Sequence, residues 1–175
     1  PLTVTTDWLA ANAGDPGLVV LQVADDSAFR AGHVPGARPV TLGDISTPRR
    51  RGSNLLELPA TAQLVRWAEG VGLTDASRVV VVAGGRAPQS ATRVLLTLAY
   101  LGLDDRASLL DGGLPAWRAA GHAVDTGAAA PLAASAGTFT PRIDSSWIAT
   151  MSDVDQAIID DVNTTVVDAR LARFY

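Results

Sequence analysis

The sequence predicts an α/β fold in which a mainly parallel central sheet is flanked by helices, and three observations predict it. Two apolar runs, "LVVLQV" at 18–23 and "RVVVVA" at 78–83, are β-branched and too continuous for strands with one wet face. Segments with helical periodicity alternate with such runs, the pattern of parallel strands joined by helical crossovers. A hydrophobic content of 47% over 175 residues supplies a sizeable core.

The elements follow in order. "TTDWLAANAGDPG" opens with Thr5 or Thr6 ahead of Trp8, Leu9 and Ala10, a short capped helix. Gly17 and the pair Asp25–Asp26 bound the first strand, and "RPVTL" is a second candidate. "PATAQLVRWAEGVG" places Pro59 at the first helical position, turns Leu64, Val65 and Trp67 inward, and ends at Gly70 or Gly72. After "RVVVVA", Ala91, Val94, Leu95, Leu98 and Leu101 share one face of a helix that Gly102 closes. "ASLL" is a short strand, "DGG" a tight turn, and "LPAWRAAG" a last helix stopped by Gly121.

Several chemistries are excluded. The chain has no cysteine, so disulfides, thiolate zinc sites and cysteine nucleophiles are absent from it. With only His33 and His122, a histidine-rich metal site is not expected, and no metal or organic cofactor is implied. A net charge of -4 argues against nucleic acid as a partner. No apolar run reaches the ~20 residues that span a bilayer. The first ten residues carry no secretory pattern, so the expected compartment is cytoplasmic.

The stretch 127–137, "GAAAPLAASAG", has the composition of a linker after a first domain at 1–126. Earlier patterns then return: "DSSWIAT" echoes "TTDWLAA", and "TTVVDARLARFY" echoes "LVVLQVADDSAF". Residues 138–175 are therefore expected to open a second, truncated copy, with "MSDVDQA" as an insertion. One helix and one strand cannot bury a core alone, so this piece needs partners.

The loop "AGGRAPQS", 83–90, sits between the clearest strand and the helix that follows it, a usual place for an active site, yet offers no reactive group. It lacks the ending of a phosphate-binding Walker loop. In "FRAGHVPGA", 29–37, Pro35-Gly36 is a turn, and His33 either braces it by donating to a carbonyl or acts as a ligand or base. In "LLDGGLPAWRAAGHAV", 109–124, Gly112-Gly113 permits a bend and Trp117 is a core anchor.

Taken in order, these two motifs closely resemble the rhodanese family. Its domains carry aspartate-x-arginine after the first long strand, then an aromatic and G-H-I-P-G-A, then a loop that begins with the catalytic cysteine, and finally G-G-x-x-x-W. The resemblance covers 1 to about 125 as a whole domain and 138–175 as the start of another. The layout is similar to tandem thiosulfate or 3-mercaptopyruvate sulfurtransferases, whose first domain is commonly inactive. It implies an anionic sulfur donor, a persulfide on a cysteine of the second domain, and a thiol or cyanide acceptor.

Under that resemblance Ala83, Gly84, Gly85 and Arg86 form a vestigial active-site loop, with Ala83 at or beside the nucleophile position. Gln22, Val23 and Ala24 replace aspartate-x-arginine in the first copy, whereas Asp168, Ala169 and Arg170 keep it in the second. Arg173 matches a substrate-facing arginine, though it lies one residue closer to Arg170 than the family pattern, so it is either that residue or a surface one. Arg170 is read as structural or near the substrate. Arg86 could still hold an anion, and Arg49–Arg51 is either a solvated loop or a basic rim. The competing reading is a non-catalytic binding or regulatory module.

Overall fold

A computed structural model describes residues 1–48, 56–85, 88–131, 137–160 and 164–167. They divide into two compact units, Pro1–Asp144 and Ser145–Tyr175.

The first unit is built on a five-stranded sheet in the order β1-β5-β4-β2-β3, with every pairing parallel. The strands are β1 (Thr3–Val4), β2 (Leu18–Val23), β3 (Arg38–Val40), β4 (Arg78–Ala83) and β5 (Ala107–Leu110). The helices are α1 (Thr6–Asn12), α2 (Asp26–Ala31), α3 (Thr61–Gly70), α4 (Gln89–Tyr100) and α5 (Gly113–Ala119). The two apolar runs are central neighbours, paired over their whole length from Leu18↔Arg78 to Val23↔Ala83. Because strand side chains alternate between faces, β4 sends Val79, Val81 and Ala83 to one core and Val80 and Val82 to the other. Leu64 and Ala68 of α3 and Ala91, Val94 and Leu98 of α4 cover the first face. Leu9 of α1, Phe29 of α2, and Leu114 and Trp117 of α5 cover the second.

Local chemistry explains the boundaries. Thr5 caps α1 through its side chain on the Trp8 amide, and Asp25 caps α2 on the Ala28 amide at 2.7 Å. Gly102, at φ +86°, ends the turn after α4, where a Cβ would fall 2.4 Å from the Arg142 carbonyl oxygen. Only glycine serves there.

Three details differ from the sequence reading. α3 starts at Thr61, so Pro59 lies outside it before the Ala60 cap. β3 stops at Val40, because Thr41 turns to hydrogen-bond Asp44 through both its amide and its hydroxyl. β1 and α2 were not expected: β1 has two residues, and α2 has six, too few for a periodicity to show.

The stretch that composition assigns to a linker and to a second copy is partly first-unit structure. Phe139 is 4% exposed within the α3–α4 core, its amide donates to Glu69 Oε1, and the Thr140 amide donates to Asp75. The Arg142 and Asp144 amides donate to the carbonyls of Leu101 and Tyr100. The second compact unit begins at Ser145. It holds a 3-10 turn at Ser145–Trp147 and α6 (Met151–Asp160), which occupies the expected insertion. Thr150 and Asp153 cap α6 reciprocally, and the Thr150 hydroxyl and amide hold the Asp153 carboxyl below its ordinary pKa. Residues 164–167 form no strand, since a strand exists only with a ladder partner.

Phe139→Ala should lower the unfolding free energy of the first unit by about 3–5 kcal/mol in urea titration. A change below about 1 kcal/mol would place Phe139 outside that core.

Candidate functional site

The site forms where β2 and β4 end side by side. From β2 the chain leaves toward β3, and from β4 toward β5 on the other side, so the crevice between them is the topological switch point of the sheet. Ligands of open α/β sheets bind at such points, outside the carboxyl ends of the strands. A cavity of about 240 Å³ opens there, lined by Val23, Asp25, Thr41, Leu42, Ala83 and Ser90 among others.

Ala83 ends β4 opposite Val23 and is 7% exposed. The pairing continues one residue further, with the Gly84 amide donating to the Val23 carbonyl at 3.1 Å. A Cβ on Gly84 would lie 2.6 Å from that same oxygen, so the first residue after the strand must be glycine. α5 begins against the other side of Ala83. Gly112 (φ +68°) and Gly113 (φ +58°) are both left-handed, and a Cβ on Gly113 would meet the Ala83 carbonyl oxygen at 2.6 Å. The double glycine of "DGGLPAW" thus lets a helix start pressed against the end of β4. Trp117 anchors that helix, buried, with its indole N–H donating to the Ala123 carbonyl at 2.7 Å.

β2 is held by a buried amide. Gln22 is fully buried; its Nε2 donates to the Gly32 carbonyl at 3.0 Å and its Oε1 accepts from the Val34 amide at 3.1 Å. This side chain therefore braces the "GHVPGA" turn from both sides of His33, and it does so without charge. His33 is itself a brace: Nδ1 lies 3.0 Å from the Phe29 carbonyl oxygen, and the ring stacks on Phe29 with centroids 3.9 Å apart.

Of the residues singled out in the sequence, Ala83, Gly84 and Gly85 come together at the β4 end. Arg86, Arg170, Arg173, Asp168 and Arg49–Arg51 lie outside the described residues. The described lining of the cavity carries one ionisable side chain, Asp25. Asp25, Thr41 and Leu42 were not anticipated, although Asp25 caps α2 and Thr41 and Leu42 come just after β3, whereas Ser90 closes the loop 83–90 singled out in the sequence. The lone polar residue in "LVVLQV" was the available signal for the Gln22 brace. Among the described residues no group of three or more metal-ligating side chains occurs. No described helix is long and apolar enough to cross a membrane.

Gln22→Leu removes both partners of a buried carbonyl and a buried amide, each worth about 1–3 kcal/mol when left unsatisfied. The variant should unfold at lower urea concentration, with faster hydrogen exchange at the Val34 amide. Unchanged exchange at Val34 would contradict the brace.

The Rhodanese-like domain model matches residues 5–120. The chain is 37% identical over 134 residues to a probable 3-mercaptopyruvate sulfurtransferase of Pseudomonas aeruginosa, covering 71% of this chain and 47% of that protein. It is 31% identical over 170 residues to a thiosulfate sulfurtransferase of Corynebacterium glutamicum, covering 95% of this chain and 54% of that one. The chain thus spans about half the length of these relatives. In fold it is similar to the 3-mercaptopyruvate sulfurtransferase SseA of Escherichia coli, with a TM-score of 0.84 at 24% identity, over 99% of this chain and 67% of that structure. The family model spans the parallel sheet, the braced histidine turn and the double glycine seated on β4, and the chain belongs to the rhodanese-like domain proteins.

Proposed function

We propose that this chain is the non-catalytic N-terminal part of a tandem-domain sulfurtransferase. The parent protein moves sulfane sulfur from thiosulfate or 3-mercaptopyruvate to a thiol or cyanide in the cytoplasm. The observation that carries the reading is Ala83: a methyl group stands at the end of β4, in a scaffold otherwise built as a rhodanese site, in a chain without cysteine.

The chemistry needs a thiolate. It attacks the outer sulfur of thiosulfate, the S–S bond breaks, and sulfite leaves with the bonding pair; with 3-mercaptopyruvate it attacks the sulfur, the C–S bond breaks, and the pair leaves on carbon as the pyruvate enolate, which takes a proton from water to give pyruvate. Cyanide then attacks the outer sulfur of the persulfide, forming thiocyanate and returning the thiolate. An alanine methyl supports none of these steps. The cysteine belongs to a second copy, about 65 to 75 residues beyond Asp168, where Arg170 and Arg173 would stand near the anionic donor. The identities to proteins named as sulfurtransferases support this assignment.

One observation favours a second reading, a binding or regulatory module: the cavity of about 240 Å³ persists beside Ala83. Such a cavity suits a molecule smaller than a drug-sized ligand.

The test is thiocyanate release from thiosulfate, or from 3-mercaptopyruvate, with cyanide as acceptor. The 175-residue chain should show no release above the enzyme-free blank. A longer product of the same reading frame should show it, and should lose it on replacing the second-copy cysteine with serine. Turnover by the 175-residue chain would overturn both readings, and a longer product without a cysteine in that interval would remove the proposal in favour of the binding module.

A further inference from the structure

We infer that the first unit carries a second binding site, for a small organic monocarboxylate with an apolar body, in a cavity of about 290 Å³ at the amino ends of the strands. It lies at the opposite end of β4 from Ala83, about 16 Å away at the rise of a strand. It is independent of the sulfur-transfer reading.

β4 opens with a charged residue. Side chains alternate along a strand, so Arg78 shares its face with Val80 and Val82, which pack in the core beneath α1, α2 and α5. Trp8 of α1 packs against that same core, and the Arg78 guanidinium lies over its ring, 5.0 Å from the centroid. Val4, Leu18 and Val80 add apolar surface to the cavity, and Arg106 joins Arg78 on its lining.

The donors left open there select an anion. Arg78 makes no side-chain hydrogen bond among the described residues, and its ion pair with Asp15 is 3.9 Å long, so its N–H groups stay available. Arg106 donates from Nη1 to the Asp75 carbonyl and turns Nε toward Asp105 at 3.5 Å, which leaves Nη2. The Thr5 hydroxyl oxygen accepts from the Trp8 amide at 3.2 Å and keeps its own proton to donate. Asp105 also lines the cavity, with its side chain 68% exposed. With Asp15 it offsets part of the positive charge, so a single carboxylate suits the site better than a doubly charged phosphate. A guanidinium fork matches a carboxylate, and an apolar body leaves water against Val4, Leu18 and Val80. Drug-sized ligands fill pockets of about 300 Å³ and more, so this one takes a small molecule.

The test is calorimetric titration of the 175-residue chain with benzoate, benzylamine and acetate, together with NMR of the indole N–H groups and backbone amides. One saturable benzoate site is expected, weakened by salt, with no benzylamine counterpart. Acetate, which lacks the apolar body, should bind about tenfold or more weakly. The Trp8 indole and Ser108 amide signals should shift, while the Gly84 and Ser90 amides at the crevice stay. Arg78→Gln and Arg106→Gln should each weaken benzoate by about tenfold or more, the loss of a charge-assisted hydrogen bond. Arg66→Gln, on α3 across the sheet, should leave it unchanged. The inference fails if benzoate does not saturate, if benzylamine or acetate binds as tightly, if Arg78→Gln keeps full affinity, or if the shifts fall on Gly84 and Ser90. The shifts are read in the unaltered chain, so the outcome does not depend on whether an Arg78 variant folds.

Discussion

The six-residue parallel pairing of β2 with β4 is the constraint on which the rest of this structure depends. It places two runs of β-branched residues side by side at the centre of the sheet, so both faces must be covered. The alternation of Val79, Val81 and Ala83 against Val80 and Val82 then assigns α3 and α4 to one side, and α1, α2 and α5 to the other. The same pairing creates the crevice, because the chain departs from these two strands in opposite directions. A functional position at the end of β4 is thus a consequence of topology, whatever residue occupies it.

That position is enclosed by close backbone approaches rather than by reactive groups. Gly84 is confined by the Val23 carbonyl and Gly113 by the Ala83 carbonyl, each at a distance that a Cβ would violate. The Gln22 amide and the His33 ring hold the neighbouring turn. An uncharged Gln22 can satisfy one carbonyl and one amide at once, which a carboxylate, an acceptor only, cannot.

Most of this frame was legible in the sequence, and the reasons differ by element. β2 and β4 match the predicted 18–23 and 78–83 because a buried parallel strand has an unbroken apolar signature. α4 was legible from a sustained face of Ala91, Val94, Leu98 and Leu101. β1 was not, because two residues carry no periodicity and its pairing with β5 is a long-range event. The Ala- and Gly-rich composition of 127–137 suggests a linker, and the burial of Phe139 just after it was not legible for a related reason, since it arises only once α3 and α4 are assembled. In the site, the glycines were legible through their motifs. The lining by Asp25, Thr41 and Leu42 was not, since it comes from the ends of β2 and β3, which meet the end of β4 only in the folded sheet.

The central claim is that Ala83 occupies the position of a nucleophile. The chain has no cysteine, so a single introduced thiol can be followed without background. The measurement is the pH dependence of alkylation of Ala83→Cys, compared with Gly85→Cys, where a side chain meets open space. At Ala83, between the β4 end and the start of α4, the thiol should titrate below the ordinary value of about 8.5, as thiols near helix N-termini do. At Gly85 it should titrate close to that value. A thiol at Ala83 that titrates above 8.5, or reacts only on unfolding, would contradict the claim and place the vestigial nucleophile position elsewhere in the loop.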